Sequence, residues 1–180
     1  MDHTIRALVL DDEEWSRQLM AGLLKELFPA IVVETREQPD SSGEFDLYFV
    51  DNDFGGELLA GKLAREIRAS HPEVLIIAFS GTLTPFDLKD LINAGCDGVC
   101  DKSAPEDLPT AMAIVKQYLE QIEQSWRRGS GKGLMGAVRS ISSLIRSWNE
   151  RLDEQEQHVQ PALPKGEGAD EQVEQSEESR

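Results

Sequence analysis

Five residues with carboxylate, hydroxyl or ammonium side chains lie at the ends of four apolar, strand-like stretches: Asp11, Asp12, Asp51, Ser80 and Lys102. Three carboxylates held close together repel one another unless a cation offsets their charge, and Mg²⁺ prefers oxygen ligands of this kind. A carboxylate can attack phosphorus while Mg²⁺, an ammonium group and a hydroxyl bind the phosphoryl oxygens. If the five side chains meet, they indicate a site that forms an aspartyl phosphate.

Each of these residues also has an ordinary structural interpretation. Asp11 and Asp12 could cap the helix that follows them, and Ser80 could cap another helix. Asp51 could lie in a turn, and Lys102 could be a solvated surface lysine. The functional interpretation depends on the same chemistry recurring at four separate strand ends.

The elements that must position these residues alternate along the chain. Continuous apolar runs rich in β-branched residues predict buried strands, and apolar residues at helical spacing predict helices. The predicted strands cover residues 5–10, 31–35, 45–50, 74–79 and 98–100. The predicted helices cover residues 13–28, 58–69, 84–95 and 103–126. The stretch 36–44 is too short for a full helix, so we expect a loop or a single turn there.

Three local patterns refine the helices. In the first helix, one predicted inward stripe contains Trp15, Leu19, Leu23, Leu24, Leu27 and Phe28. Thr84, Pro85 and Asp87 predict the start of the third helix, because they supply a cap, a first-turn proline and a first-turn acid. Ser103 and Glu106 predict a capping box at the start of the fourth.

Five strands alternating with helices predict an α/β domain with a doubly wound, mainly parallel sheet. Such sheets place their functional sites at the carboxyl ends of the strands. The rule therefore brings the five polar residues to one edge of the sheet.

Four blocks of the sequence resemble the receiver domains of two-component response regulators: residues 8–12, 45–51, 76–80 and 94–102. The resemblance covers about residues 4–126. It implies a flavodoxin-like, five-stranded parallel sheet with strand order 2-1-3-4-5 and a stand-alone receiver with a C-terminal helical extension. It also implies a domain at residues 1–126 that catalyses only its own phosphorylation and dephosphorylation and is no enzyme in the usual sense.

The resemblance also implies a role for each site residue. Asp51 would accept the phosphoryl group, with Lys102 and Ser80 binding phosphoryl oxygens. Mg²⁺ would be bound by Asp12 and Asp51, by Asp11 mostly through water, and by the backbone carbonyl of Asp53. The donor would be a histidine kinase or a phosphotransfer protein.

The sequence departs from the family pattern at several positions. Val99 stands where the family usually has a switch aromatic, and Ser103 stands where a proline is common. The stretch after Asp51 lacks the usual Met-Pro and is slightly longer. We therefore expect intact chemistry with an unusual output mechanism.

Two other phosphate-handling families share some of these residues. Asp51-Asn52-Asp53 fits the Asp-x-Asp of haloacid-dehalogenase-type phosphatases, but in that family this strand comes first and an acidic pair follows the lysine. Residues 129–133 suggest a phosphate-binding loop, but such a loop needs a preceding strand and a Ser or Thr after its lysine. We interpret residues 127–133 as a flexible hinge.

Beyond the hinge, the sequence predicts an amphipathic helix at residues 134–156 and a disordered acidic tail at 157–180. The apolar seam of this helix consists of Leu134, Val138, Ile141, Ile145, Trp148 and Leu152. The helix could fold back on its own receiver, form a homodimer or bind a target protein. A position at a membrane surface is disfavoured because its flanks are acidic.

Composition excludes several classes of protein. The net charge of −16 disfavours binding to nucleic acid or anionic lipid. No apolar run approaches the length of a membrane span. Cys96 and Cys100 do not form a disulfide framework or complete a metal site, so we expect buried, reduced thiols and a cytoplasmic protein.

Two functional hypotheses follow from the sequence. In the first, the chain is a phosphorylation switch that signals through protein–protein contacts. In the second, it is a binding scaffold on a receiver fold that works without phosphorylation, as Val99 and the altered loops suggest.

Overall fold

The structure is a computed structural model that describes residues 4–81 and 83–127. This range contains nearly all of the predicted domain at residues 1–126. The predicted hinge from residue 128 on, the helix 134–156 and the tail 157–180 lie outside the described residues. The domain boundaries therefore remain predictions.

A five-stranded parallel sheet forms the centre of the domain. The strands along the chain are β1 (Arg6–Leu10), β2 (Val32–Arg36), β3 (Leu47–Asp51), β4 (Asp53–Phe54), β5 (Glu57–Leu58), β6 (Leu75–Ser80) and β7 (Gly98–Asp101). The sheet has the order β2-β1-β3-β6-β7, whereas β4 and β5 form a separate hairpin. Counted without the hairpin, this is the predicted order 2-1-3-4-5, so the predicted fold is confirmed.

Four helices cover the two faces of the sheet: α1 (Glu14–Leu27), α2 (Ala60–Ser70), α3 (Pro85–Asn93) and α4 (Asp107–Arg127). One apolar core joins α1 and α4 to one face of the sheet. A second core joins α2 and α3 to the other face. Every residue of β3 and β6 is buried, which explains why these strands read as unbroken apolar runs. Among the described helices, none is long and apolar enough to cross a membrane.

The inward face of α1 differs from the predicted stripe. The buried residues are Ser16, Met20, Ala21 and Leu24, whereas Trp15, Leu19 and Leu27 are exposed. The prediction was correct for Leu24, which is fully buried, and for Leu23 and Phe28, which pack against the core. It was wrong for the three exposed residues. Small residues on the inward face let the helix lie close to the sheet, and Ser16 makes a hydrogen bond there that no apolar residue could make.

The connection from β2 to β3 has no helix within residues 37–46, all of which the structure describes, as the short predicted stretch indicated. Phe45 is buried in its place and packs edge-on against Tyr48, with ring centroids 5.7 Å apart. The guanidinium groups of Arg6 and Arg36 lie 4.5 and 5.5 Å from the centroid of the Phe45 ring. A buried aromatic ring with two cations near it therefore covers this part of the sheet.

The starts of α3 and α4 give one confirmed and one incorrect prediction. At α3, the Thr84 hydroxyl accepts a hydrogen bond from the Asp87 amide, and the Asp87 carboxylate accepts one from the Thr84 amide. At α4, the predicted start at residue 103 is wrong, because the helix begins at Asp107. Ser103 instead donates from its amide and its hydroxyl to the Asp101 carboxylate, at 2.7 and 2.6 Å. That turn removes Ser103 from the capping position.

One buried ion pair ties α2 to the start of β7. The Arg68 guanidinium donates to the Asp97 carboxylate at 2.6 Å, and the same carboxylate oxygen accepts the Ile76 amide at 2.8 Å. Burial raises the pKa of Asp97, and the charge of Arg68 opposes that rise. The neighbouring Cys96 and Cys100 are buried free thiols, as predicted.

Candidate functional site

The strand ends bring the predicted site residues to one edge of the sheet. Asp11 follows β1, Asp51 ends β3, Ser80 ends β6 and Lys102 follows β7. These ends surround a cavity of about 350 Å³. Its lining comprises Asp12, Glu13, Asp51, Asp53, Gly55, Gly56, Ser80, Gly81 and Lys102. The rule that locates sites at carboxyl ends of parallel strands therefore holds here.

Lys102 joins two of the carboxylates. Its Nζ lies 2.7 Å from Oδ2 of Asp11 and 3.2 Å from Oδ1 of Asp51. The Lys102 amide donates to the carbonyl of Ser80 at 2.7 Å, which fixes the start of its side chain beside β6. The ammonium group is thus held between the two buried acids, where it offsets part of their mutual repulsion.

The electrostatics of the site make the charged form of Asp51 less favourable than it is in water. Burial raises the pKa of Asp51 to about 6; the nearby Asp11 charge adds to the rise and Lys102 opposes it. Burial by itself would lower the pKa of Lys102, but its contacts with Asp11 and Asp51 raise it overall. Asp51 is therefore a carboxylate whose charge the protein alone does not fully compensate.

Carboxylate oxygens of Asp11, Asp12 and Asp51 all lie within 4.8 Å of one another. Asp12 is exposed, while the other two acids are buried, so a metal ion would reach the cluster from the solvent side. Three hard oxygen donors with one open side fit Mg²⁺, which keeps part of its water shell when it binds to proteins. The donor set therefore fits the metal that the sequence predicts.

Asp53 and Ser80 both lie on the wall of this cavity. The Asp53 carboxylate accepts the Gly56 amide at 2.7 Å, so its side chain is occupied in shaping the loop. The structure places Asp53 beside the cluster, and the role of its backbone carbonyl as a metal ligand remains a prediction. Ser80 is buried at the end of β6, where its position suits contact with an oxygen of a phosphoryl group on Asp51.

The loop after Asp51 forms a β-hairpin. Strands β4 and β5 pair through Asp53 with Leu58 and Phe54 with Glu57. Gly55 and Gly56 form the two-residue turn with φ values of +63° and +92°, which glycine adopts far more readily than other residues. The Gly55 amide donates to Oδ2 of Asp12 at 2.9 Å. The hairpin is thereby attached to a candidate metal ligand.

Two participants were missing from the predicted site. The Ser16 hydroxyl donates to Oδ2 of Asp11 at 2.5 Å, and the Gly55 amide contacts Asp12. Ser16 lies within the first turns of a helix whose inward face was misassigned, so its burial was not expected. The Gly55-Gly56 pair was an available signal, since Gly-Gly between short strand-like segments is typical of a two-residue hairpin.

The position of the expected switch aromatic is filled by a small buried residue. Val99 lies within β7 and packs in the core shared with α2 and α3. A valine has no ring that could move between a buried and an exposed pocket. No aromatic ring is therefore available at this buried position to change its orientation.

Comparison with known proteins supports the fold. Neither a protein-family model nor a curated protein sequence matches this chain. The BeF₃-activated receiver domain of DrrB matches with a TM-score of 0.56 and 18% sequence identity, covering 66% of this chain and 99% of that one. The signal receiver domain of a DNA-binding response regulator from Colwellia psychrerythraea 34H matches with a TM-score of 0.57 and 19% identity, covering 65% and 99%.

A third match is to a structure that contains Mg²⁺. The response regulator TrrA from Thermotoga maritima, in complex with Mg²⁺-BeF, matches with a TM-score of 0.50 and 26% identity. The match covers 61% of this chain and 96% of that one. All three matched structures are response-regulator receiver domains or response regulators, and each match covers more than nine tenths of the known chain. The described residues therefore form a domain with the response-regulator receiver fold.

Proposed function

We propose that this protein is a phosphorylation switch of two-component signalling, in which Asp51 accepts a phosphoryl group from a histidine kinase or a phosphotransfer protein. Its output would be protein–protein contact in the cytoplasm. The observation that carries the proposal is the position of Asp51, which is buried at the base of an open cavity, 3.2 Å from Lys102 and beside two further acids.

Mg²⁺ would be held by Asp12 and Asp51, with Asp11 acting mostly through water and the Asp53 carbonyl completing the protein's share of the ligands. When bound, it supplies positive charge that offsets the carboxylates and the phosphoryl oxygens. It would also lower the pKa of Asp51 from about 6, so that the carboxylate would stay ionised over a wider range of pH.

The transfer needs only a donor that already carries an activated phosphoryl group. An oxygen of Asp51 forms a bond to phosphorus as the bond between phosphorus and the donor atom breaks, and the donor keeps that electron pair. Lys102 and Ser80 would bind the phosphoryl oxygens. Hydrolysis by water later restores the carboxylate and releases phosphate, so the domain turns over no other substrate.

Intact-mass measurement of the full chain with acetyl phosphate tests this proposal. We expect a gain of one phosphoryl mass that requires Mg²⁺ and is lost in Asp51→Asn. Asp90→Asn is the matched control, because Asp90 is an exposed acid on α3 outside the cavity. Size-exclusion light scattering on the same samples reports whether the modification changes assembly.

Modification that persists in Asp51→Asn would place the acceptor elsewhere and reject the proposed role. Failure of acetyl phosphate, followed by failure of phosphorylated histidine phosphotransfer domains, would favour the second hypothesis. That hypothesis is a scaffold that works without phosphorylation, and the buried Val99 favours it because ring rotation cannot transmit the state of the site. The scaffold predicts the same assembly and partner binding for Asp51→Asn as for the parent protein.

A further inference from the structure

Helix α1 presents a row of apolar residues to solvent. We define the α1 stripe as Trp15, Leu19, Leu23 and Leu27, which follow one another at intervals of four residues. Trp15 is 74% exposed, and Leu19 and Leu27 are each 48% exposed. Leu23 is half-buried and packs against the core. An aligned row of large apolar side chains on a polar domain marks an interaction surface.

A glycine in the same helix supports this interpretation. Gly22 is exposed near the middle of α1, and a Cβ atom added to it would meet nothing within 4 Å. Glycine inside a helix lowers helix stability relative to alanine, and nothing within the domain requires it here. A second helix lying on the α1 stripe would use the space that Gly22 leaves, because small residues let helix backbones approach closely.

The described chain ends in a helix that packs on the same face of the sheet as α1. On α4, the Tyr118 hydroxyl donates to the carbonyls of Asp46 and Glu73, which precede β3 and β6. The last turns of α4 therefore lie at the edge where the strands begin. Leu27 lies at the same edge, since the turn after α1 leads directly into β2. Both helices pack on the same face of the sheet.

The sequence that follows is basic within an acidic chain and contains an apolar row that matches the stripe. Five basic residues and no acidic one lie between Glu123 and Glu150: Arg127, Arg128, Lys132, Arg139 and Arg146. The whole chain has a net charge of −16, whereas α1 itself carries two acids and two basic residues. The attraction of the basic segment is therefore to the acidic domain as a whole. The same stretch contains the apolar seam from Leu134 to Leu152.

We propose that residues 134–152 dock as a helix on the α1 stripe of the same molecule, antiparallel to α1. This arrangement pairs Leu27 with the start of the segment, Leu19 with the region of Ile145, and Trp15 with Trp148. The proposal is independent of whether Asp51 is phosphorylated. In this proposal, the predicted amphipathic helix binds the receiver domain of its own molecule.

The dimensions permit this arrangement. Residues 128–133 span up to roughly 20 Å when extended, and the axes of packed helices lie about 8–10 Å apart. The stretch from Trp15 to Leu27 is about 18 Å long, and the stretch from Leu134 to Trp148 would be about 21 Å long as a helix. A connecting segment of this length is longer than the spacing of two packed helices, and the two apolar rows are similar in length.

Cysteine cross-linking of the full chain tests the proposal. We expect Leu19→Cys with Ile145→Cys to form a disulfide within one molecule under mild oxidation, because docking gives the two thiols a high effective concentration. The first control is Leu19→Cys with Ser143→Cys, since position 143 lies on the opposite side of the predicted helix. The second is Glu66→Cys with Ile145→Cys, since α2 covers the other face of the sheet. We expect the first pair to react about tenfold faster than either control.

Equal reaction of the Ile145 and Ser143 pairs would overturn the proposal, because it would mean that no defined face is docked. Cross-linked dimers in place of monomers would also overturn it and assign the stripe to a second copy of the chain.

A second readout avoids introduced cysteines. We expect hydrogen exchange of the α1 amides in the full chain to become faster when Ile141→Asp and Ile145→Asp are combined, whereas Ser143→Asp leaves it unchanged. Unchanged α1 exchange in the double variant would contradict docking on this helix, whatever the cross-linking shows.

Discussion

Replacement of Asp51 by asparagine is expected to stabilise the metal-free protein at neutral pH. The buried Asp51 carboxylate lies beside Asp11 and has only Lys102 to offset its charge. Asparagine has nearly the same shape but carries no charge. The site would therefore lose an unfavourable charge while the Lys102–Asp11 contact of 2.7 Å remains.

The size of this effect follows from the pKa. A rise from the ordinary 3.8 to about 6 in the folded protein corresponds to a penalty of about 3 kcal/mol on the charged folded state. The asparagine amide accepts a hydrogen bond from Lys102 less strongly than a carboxylate does, and this loss reduces the gain. We expect a net stabilisation of about 2 kcal/mol at pH 7.5.

The effect must depend on pH in a defined direction. Because the pKa of Asp51 is raised on folding, its contribution to stability is fully present below pH 3.8 and is lost as the pH rises to about 6. The advantage of Asp51→Asn should therefore be complete at pH 7.5 and smaller at pH 5. Mg²⁺ should reduce or reverse it at pH 7.5, since it binds the folded parent protein more tightly than the variant.

Urea unfolding of the full chain measures these changes, at pH 5 and 7.5, with EDTA and with Mg²⁺. Asp90→Asn serves as the control, because replacing this exposed acid should change the free energy of unfolding by less than about 0.5 kcal/mol. Our account of the site is refuted if Asp51→Asn is less stable than the parent at pH 7.5 without metal. A stabilisation by Asp51→Asn of equal size at pH 5 and pH 7.5 would also refute it.

Three further substitutions test other contacts. Lys102→Met should destabilise the metal-free protein by about 3 kcal/mol, because it leaves buried acids without their cation, and Mg²⁺ should restore part of this loss in urea unfolding. Asp97→Ala should cost about 3 kcal/mol in the same assay by leaving the Arg68 guanidinium without its carboxylate; no change would show that solvent replaces the pair. Ser16→Ala should cost about 1 kcal/mol through the hydrogen bond lost at Asp11, and a stabilised variant would contradict that assignment.

The positions of the site residues could be predicted because they follow from one topological rule. Unbroken apolar runs identified strands buried on both faces, and such strands pair in parallel with their carboxyl ends together. Asp11, Asp51, Ser80 and Lys102 needed no further information to be placed at one edge. Their distances and the raised pKa of Asp51 required the structure, because both depend on how closely the strand ends approach.

The orientation of α1 could not be predicted from apolar spacing. The helix has two candidate faces, and the larger residues, Trp15 and Leu19 among them, lie on the one that is exposed. The buried face combines Met20 and Leu24 with the small residues Ser16 and Ala21, whose size becomes favourable only against the sheet. The apolar spacing identified the helix, but it assigned Trp15, Leu19 and Leu27 to the buried face although they are exposed.

The structures of two loops could not be predicted from the sequence pattern. The hairpin at residues 53–58 has strands of only two residues, which are too short to show an alternating pattern. Ser103 and Glu106 match a capping box. The Ser103 hydroxyl instead donates a hydrogen bond to the Asp101 carboxylate, and the helix begins only at residue 107. In both places, a local hydrogen-bonding alternative determined the outcome.

The helix-free connection between β2 and β3 has a consequence for association between molecules. Strand β2 is an edge of the sheet, and an open edge can recruit a strand from another chain and start aggregation. Arg36 binds Glu34 at 2.6 Å and Asp40 at 3.3 Å, and Arg6 binds Glu34 at 3.4 Å. The charges that surround Phe45 therefore also protect this edge, and neutralising Glu34 and Arg36 together would leave a folded protein prone to ordered self-association.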